Sequence, residues 1–410
     1  MLAFGDQTPG IKTYRRGTHH TIAPEETIAR LRPLMHEFGI TRVANLTGLD
    51  RAGIPVVMVC RPNSRSSAVF HGKGLDISAA KASGLMEAIE TWHAEHIQLP
   101  LRYGSFEELH VAFNLADVDG LSRIPGGRFH RNLRLLWVEG RDLIGGAPVW
   151  LPLETVHADC TMTGLPGGGC FSASTNGLAS GNHLLEATSH ALCEVIERDA
   201  TSLWHQLHPT LQDRRRLDLA TVDHETCRQL LGQLEEAELD IGVWDTTTDV
   251  GVPSFDCVVL DRTREIGHVG RGAGCHPTRR VALLRAVTEA VQVRTGYIVG
   301  SREDIRQVDY HARYLDEWNR RASSLLRPAE GMRDYRTLGS DDFDSFDDEV
   351  AWLLSRLTAA GVRQAIAVDL TRAAFDLPVV RVVVPGLEGA DSLADYLPGP
   401  RAQESRARRP

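Results

Sequence analysis

Three segments of the chain carry glutamates at spacings that could do chemistry. The first reads Ser83-Gly-Leu-Met-Glu87-Ala-Ile-Glu90, the second His190-Ala-Leu-Cys-Glu194-Val-Ile-Glu197-Arg198, and the third Arg285-Ala-Val-Thr-Glu289-Ala-Val-Gln292. Each sets Glu three residues before Glu or Gln, across two small or branched apolar residues. Residues three and four apart share one face of a helix. Ser83, Glu87 and Glu90 are then co-facial, as are Glu186, His190, Glu194 and Glu197, and also Arg285, Glu289 and Gln292. The intervening residues are apolar, so these helices read as largely buried. A buried carboxylate is costly unless it is paired or bound to a metal. Up to six converging carboxylates would call for divalent cations, and oxygen ligands without soft partners suit magnesium, which bridges carboxylates and nucleotide phosphates. One such pair is ordinary on a solvated amphipathic helix. Three related segments with apolar interiors are not.

Holding these side chains takes three long helices, predicted over 78–96, 182–208 and 277–299. A shorter helix is predicted over 24–38, opened by Pro24, Glu25 and Glu26, bent at Pro33 and stopped by Gly39. Strands are predicted at 56–60, 67–70, 242–245, 254–261, 365–369 and 379–384, with Gly72-Lys73-Gly74 turning into the first glutamate helix. Strands interspersed with helices argue for an α/β (α+β) architecture. Before the second helix lies a run of small residues from Phe171 to His183, which would let a backbone approach a ligand, with the helix N-terminus beyond it available to an anion. Pro166-Gly-Gly-Gly169 reads as a lid or hinge, Gly270 to Gly274 has no assigned role, and 303–309 and 339–348 read as surface loops. No G-x-x-x-x-G-K-[ST] phosphate loop occurs.

Composition removes other classes of function. The chain has 410 residues, 42% of them apolar, and a formal net charge of −9. There is no basic field to draw nucleic acid or anionic lipid, and no apolar run long enough for a membrane span. The start, Met1 to Gly10, lacks a secretory pattern. The seven cysteines form no CxxC pair, so neither a zinc site nor a disulfide framework is expected. The expectation is a cytoplasmic protein. Its only strongly basic stretch, Arg401 to Pro410, reads as a solvated tail.

With these residues identified, the chain resembles the YcaO family over roughly residues 15–389. The resemblance rests on Gly72-Lys-Gly74 with Ser83-x-x-x-Glu87-x-x-Glu90, on Thr175-Asn-Gly-x-Ala179-x-Gly-Asn182-x-x-x-Glu186, on Glu194-x-x-Glu197-Arg198, on Arg285-x-x-x-Glu289-x-x-Gln292 and on Val384-Pro-Gly-Leu-Glu388. It implies a YcaO-like fold of mixed sheets with three long helices converging on a site for ATP and Mg2+. It further implies that Glu87, Glu90, Glu186, Glu194 and Glu197 hold metal. Ser83, Ala179, Asn182, Arg198, Arg285 and Glu289 would line the nucleotide. In the family a basic side chain near His20 reaches the phosphates, and here Arg15 or Arg16 would take that part. The domain expectation is an N-terminal α/β segment, 1–60, belonging to the same unit as an ATP-binding core, 61–389, followed by a tail, 390–410.

Family members of this kind phosphorylate a peptide amide oxygen, and the nucleophile then sets the product. A substrate side chain gives an azoline, and external sulfide gives a thioamide, usually with a TfuA partner. Azoline-forming relatives end in alternating prolines, a pattern absent from Leu397-Pro-Gly-Pro400. The head of the chain, Arg16-Gly-Thr-His and Ile22-Ala-Pro-Glu-Glu-Thr27, looks like stand-alone TfuA-associated members. The expected activity is therefore amide activation for thioamide formation on a peptide or protein substrate, with a TfuA-like partner and a sulfide donor. Azoline formation and a non-catalytic scaffold are the alternatives, and homodimerisation is left open. A kinase-like or ATP-grasp enzyme is disfavoured, because no glycine-rich loop with a lysine of those classes is present. The tail beyond Gly389 and all seven cysteines are expected to be dispensable.

Overall fold

The computed structural model describes residues 8–161, 164–263, 268–302, 305–327, 331–389 and 396–408. The expectations for Met1 to Gln7, Glu303, Asp304, 390–395 and the last two residues lie outside these. Among the described residues α1 (Pro24–Leu31) leads into a three-stranded antiparallel sheet of β1 (Arg42–Asn45), β2 (Val56–Cys60) and β3 (Val69–Lys73), which α2 (Ile77–Glu95) covers. A six-stranded antiparallel sheet follows, ordered β4 (Leu101–Gly104), β5 (Leu135–Asp142), β13 (Ile366–Asp369), β14 (Val379–Val383) and β7 (Leu178–Ser180), with β6 (Pro148–Pro152) also paired to β5. On it packs α4 (Leu184–His205), with the short α3 (Phe106–Leu109) and α5 (Pro209–Asp213) also in the chain. A second three-stranded sheet is built from β9 (Leu239–Asp245), β10 (Ser254–Asp261) and β11 (Gly270–Cys275), packed under α6 (Glu225–Glu236) and α7 (Arg279–Val299). The remaining elements are β8 (Leu217–Asp218), α8 (Ala312–Leu325), β12 (Arg333–Asp334), α9 (Phe346–Ala359) and α10 (Pro400–Ala407).

Helix and sheet are mixed as expected, and the three long helices are α2, α4 and α7. Two local readings change. Gly72 and Lys73 end strand β3 rather than forming a turn, and Gly270 to Gly274 form strand β11. The cause is close packing. A Cβ on Gly72 would collide with backbone atoms of Ala80 and Gly84 in α2, and one on Gly272 with backbone of Ala286 and Ala290 in α7. These glycines let a strand lie flush on a helix. Two of the three related segments, in α2 and α7, thus share a setting: an antiparallel strand pair whose glycine-bearing member lies against the glutamate helix. The helix predicted over 24–38 is α-helical only to Leu31, and Arg32–Leu34 with Pro33 is a 3-10 turn. The predicted loop 339–348 contains the start of α9, capped by Ser345 Oγ on the Asp348 N–H.

The tail reading is corrected more substantially. Arg401 to Ala407 lie in a helix docked on α4, not in solvent. The Arg401 guanidinium grips Asp199 at 2.9 Å and Asp249 at 2.6 Å. The Glu388 carboxylate accepts from the N–H groups of Gly399 and Ala402, both at 2.9 Å, and from the Tyr396 hydroxyl at 2.8 Å. Ala402 and Ser405 are buried. At the other end, Lys12 pairs with Glu349 at 2.5 Å, both side chains fully enclosed, and Ser189 donates to the same carboxylate at 2.6 Å. Glu349 also draws His19 and His276 into a buried cluster, whose cationic partner is Lys12 itself.

Candidate functional site

Strand β3 and the three glutamate helices bring Lys73, Glu87, Glu90, Glu194, Glu197 and Glu289 into one neighbourhood. Lys73 reaches from β3 across to Glu289 on α7 in a short ion pair. Glu90 on α2 accepts from the Ser180 N–H at 3.0 Å and the Ser180 hydroxyl at 2.9 Å, tying α2 to β7. Arg198 lies 3.8 Å from Glu194 and 3.5 Å from Glu197, too long for tight pairing. Glu289 also takes the Ala273 N–H at 3.4 Å.

Crowding is visible in the proton affinities. Burial pushes Glu87 up to about 7, against the nearby positive charges of Lys73 and Arg302, and repulsion from Glu289 and Glu194 adds to it. Burial also pushes Glu194 up to about 7, with Arg198 opposing and Glu197 reinforcing. Glu90 is raised well above the usual carboxylate range by burial and by Glu87 and Glu194, and Glu197 is raised by burial. Glu289 goes the other way, because Lys73 and Arg198 outweigh its burial. The protein's own cations therefore satisfy Glu289 but leave the other four short of positive charge.

The remaining expected site residues are distributed around this centre. Ser83 Oγ faces the Lys73 N–H at 3.4 Å. Ala179 sits in β7, paired with Val380. Arg285 carries a buried Nη1 with no partner, and so does Gln292 at Oε1, although its Nε2 donates to His71 O at 2.8 Å. Glu186 belongs to an adjoining network. Its carboxylate takes His20 Nδ1 at 2.9 Å, the Thr21 N–H at 3.0 Å and the Thr21 hydroxyl at 2.7 Å. Burial alone would raise Glu186, but His20 and its other partners bring it down to about 2. Asn182 accepts from Thr27 at 3.2 Å and lies 3.5 Å from Glu186 through Nδ2. The first turn of α4 is capped by His183, whose Nδ1 accepts from the Leu185 N–H. With Glu186 in that turn, it is a poorer anion site than the preceding small-residue run implied. Arg15 is engaged by Asp342 and Asp344, and Arg16 lies 3.6 Å from Asp76; both point into ion pairs of their own.

Lys73 and Arg381 are the site residues that sequence reasoning left without a role. Lys73 stands inside the Gly72-Lys-Gly74 motif, and strand alternation would have turned it away from the helix that Gly72 touches. Arg381 had no local signal, since it interrupts the apolar strand β14 and is itself buried.

Four under-neutralised carboxylates, an orphaned guanidinium nitrogen and an orphaned amide oxygen fit a cation-bound, phosphate-bearing ligand. The comparisons with known proteins agree. Residues 71–388 match the family described as YcaO cyclodehydratase, ATP- and Mg2+-binding. An uncharacterized protein in the tfuA 3′ region of Rhizobium leguminosarum bv. trifolii is 34% identical over 374 residues, covering 90% of this chain and 88% of the relative. The structure of YcaO from Methanopyrus kandleri bound with AMPPCP and Mg2+ is similar with a TM-score of 0.76 and 25% identity, over 95% of this chain and 98% of that one. A heterocyclase in complex with substrate and cofactor shares the fold, with a TM-score of 0.77 and 22% identity, over 95% of this chain and 55% of that one.

Proposed function

Because the chain belongs to the YcaO family, whose members are ATP-dependent peptide-modifying enzymes, we propose that it phosphorylates a backbone amide oxygen of a peptide for thioamide formation, with a TfuA-like partner. The observation that carries the reading is the set of carboxylates from three helices that the protein's own cations leave under-neutralised. In it Glu87, Glu90, Glu194 and Glu197 hold Mg2+, and Glu186 joins them by giving up its contact with His20. Lys73, Arg198, Arg285 and Glu289 surround the nucleotide, with Ser83, Ala179 and Asn182 at its edge. Bound Mg2+ supplies charge neutralisation and in-line geometry for the transferred phosphoryl group.

In the reaction the amide oxygen bonds to the γ-phosphorus as the bond to the ADP oxygen breaks. Sulfide then adds to the activated carbon, and phosphate leaves with the former amide oxygen. Sulfide as the nucleophile is supported by the tfuA-region relative. The test is the mass of a candidate peptide encoded beside this protein's gene, after incubation with ATP, Mg2+, the TfuA-like protein and sulfide. Exchange of one oxygen for one sulfur is expected. Loss of water would replace the thioamide reading with ring closure, and peptide-independent ATP binding without any product would point to a scaffold.

A further inference from the structure

A cleft of about 70 Å3 is lined by Val195, the residue after Glu194, and by Arg381, whose charge acts on Glu194. The volume is several times the roughly 10–15 Å3 that a single water needs, so the cleft takes a small polyatomic group. Arg381 and Asn176 share its polar wall with Arg123, Thr155, Glu388, Tyr396 and three serines, and Leu121, Val195, Leu387 and Leu397 supply much of the apolar one. Arg381 is 3% exposed. Its Nε donates to Thr155 O at 3.1 Å, but its Nη1 is buried with no partner. Asn176 Oδ1 is likewise buried and without a partner.

Leaving a buried donor and a buried acceptor unmade is costly, and together the two orphans describe a ligand. A group that satisfies both must offer an acceptor and an N–H donor within a short span. A phosphate or carboxylate would serve Arg381 but would meet Asn176 only if its side-chain amide turned over to present Nδ2. A secondary amide offers both functions, and the apolar walls suit the carbons that flank it. Arg381 is also an electrostatic neighbour of Glu194, so a group bound here lies at the edge of the carboxylate cluster. The small-residue run from Phe171 to Asn176 supplies Ser172, Ser174 and Asn176 to the cleft, which gives that run a use as a wall.

We propose that this cleft receives the acceptor peptide, the carbonyl oxygen of one peptide unit accepting from Arg381 Nη1 and an N–H donating to Asn176 Oδ1. The inference rests on the amide-activation reading and assigns Arg381 and Asn176 as positioning residues for its substrate.

The experiment follows the guanidinium 15N resonances of the full-length protein, with Arg381 assigned through Arg381→Lys. The protein is first loaded with Mg2+ and AMPPCP and then titrated with N-methylacetamide. Saturable movement of the Arg381 signal is expected. Apparent affinity should fall roughly threefold to tenfold in Asn176→Ala, as for loss of one hydrogen bond. It should fall similarly for N,N-dimethylacetamide, which has no N–H to donate. An Arg381 signal that ignores the amide in a protein that binds Mg-AMPPCP overturns the cleft assignment and leaves the amide-activation reading standing. Direct movement with AMPPCP and none with the amide also overturns it, giving the guanidinium to the nucleotide. Failure of the parent protein to bind Mg-AMPPCP removes the reading and this inference together.

Discussion

Replacing Glu87 by Gln should make the metal-free protein more stable, and increasingly so as pH rises. Glu87 has its proton affinity raised from the ordinary 4.5 to about 7, chiefly by burial. A carboxyl whose folded value lies above its unfolded value favours the native state fully only below the unfolded value, and that contribution is lost as pH climbs through the folded one. The shift from 4.5 to about 7 corresponds to about 3.4 kcal/mol at high pH. Glu87 is only part-buried and Glu194 is raised into the same range, so an effective penalty of about 1–2 kcal/mol is the working figure. Glutamine keeps the shape and removes the charge.

The whole protein's pH profile does not isolate this effect. His190 is lowered to about 4 by burial and by Arg285, and His19 to about 3 by burial and by His276. Both therefore remove stability as pH falls below about 6.5, the opposite slope. Glu186, held at about 2, contributes stability above its unfolded value and loses it only at more acid pH. The measurement is therefore a difference: guanidinium unfolding of parent and Glu87→Gln with chelator present, at several values between about pH 5 and pH 8. The variant's advantage should grow by about 1–2 kcal/mol across that range. A difference that is flat with pH, or that favours the parent at pH 8, would refute the claim that Glu87 is an under-neutralised carboxylate. The same carboxyl should hinder metal binding when protonated, so the parent's Mg2+ affinity should rise through neutrality, with proton release on binding.

Glu194→Gln should abolish Mg2+-dependent AMPPCP binding by calorimetry while leaving the circular dichroism unchanged; a variant that binds like the parent overturns the metal assignment. Arg401→Ala should cost about 3 kcal/mol, because Asp199, with no exposed side-chain surface, loses its buried cation. Truncation after Gly389 should cost more, since Glu388 also loses the Tyr396, Gly399 and Ala402 donors; a truncated chain that melts with the parent would restore the view of a dispensable tail. Cys193 is 1% exposed and neighbours Cys275, whose thiol is pushed well up by burial and by Cys193. Peptide modification should accordingly survive Cys193→Ala, and its complete loss in a folded variant would revive a sulfur-carrying role.

What the sequence disclosed, and what it did not, divides along the distance between partners. The three glutamate helices were legible because each states its problem locally. Acids three residues apart with apolar residues between them must be explained wherever the helix packs, and α2, α4 and α7 begin and end within three residues of the expected bounds. Strands β2 and β10 matched for the same reason, being continuous apolar runs between turn residues. The answers to those problems were not local. Lys73 meets Glu289 across 216 positions and Arg401 meets Asp199 across 202, and nothing near Arg401 distinguishes a docked helix from a solvated basic tail. Glycines 270, 272 and 274 read as ambiguous because their alternation has meaning only once α7 lies against them. Arg381 shows the limit most clearly. A charge inside an apolar strand has a purpose only when its surroundings are known: the Thr155 carbonyl and Glu194, and a cleft whose only other buried orphan is an amide oxygen among the described residues. That pairing of a cation with a neutral acceptor, beside carboxylates suited to holding metal, is the arrangement an enzyme would need if it must grip an uncharged peptide unit and bring it to a phosphate.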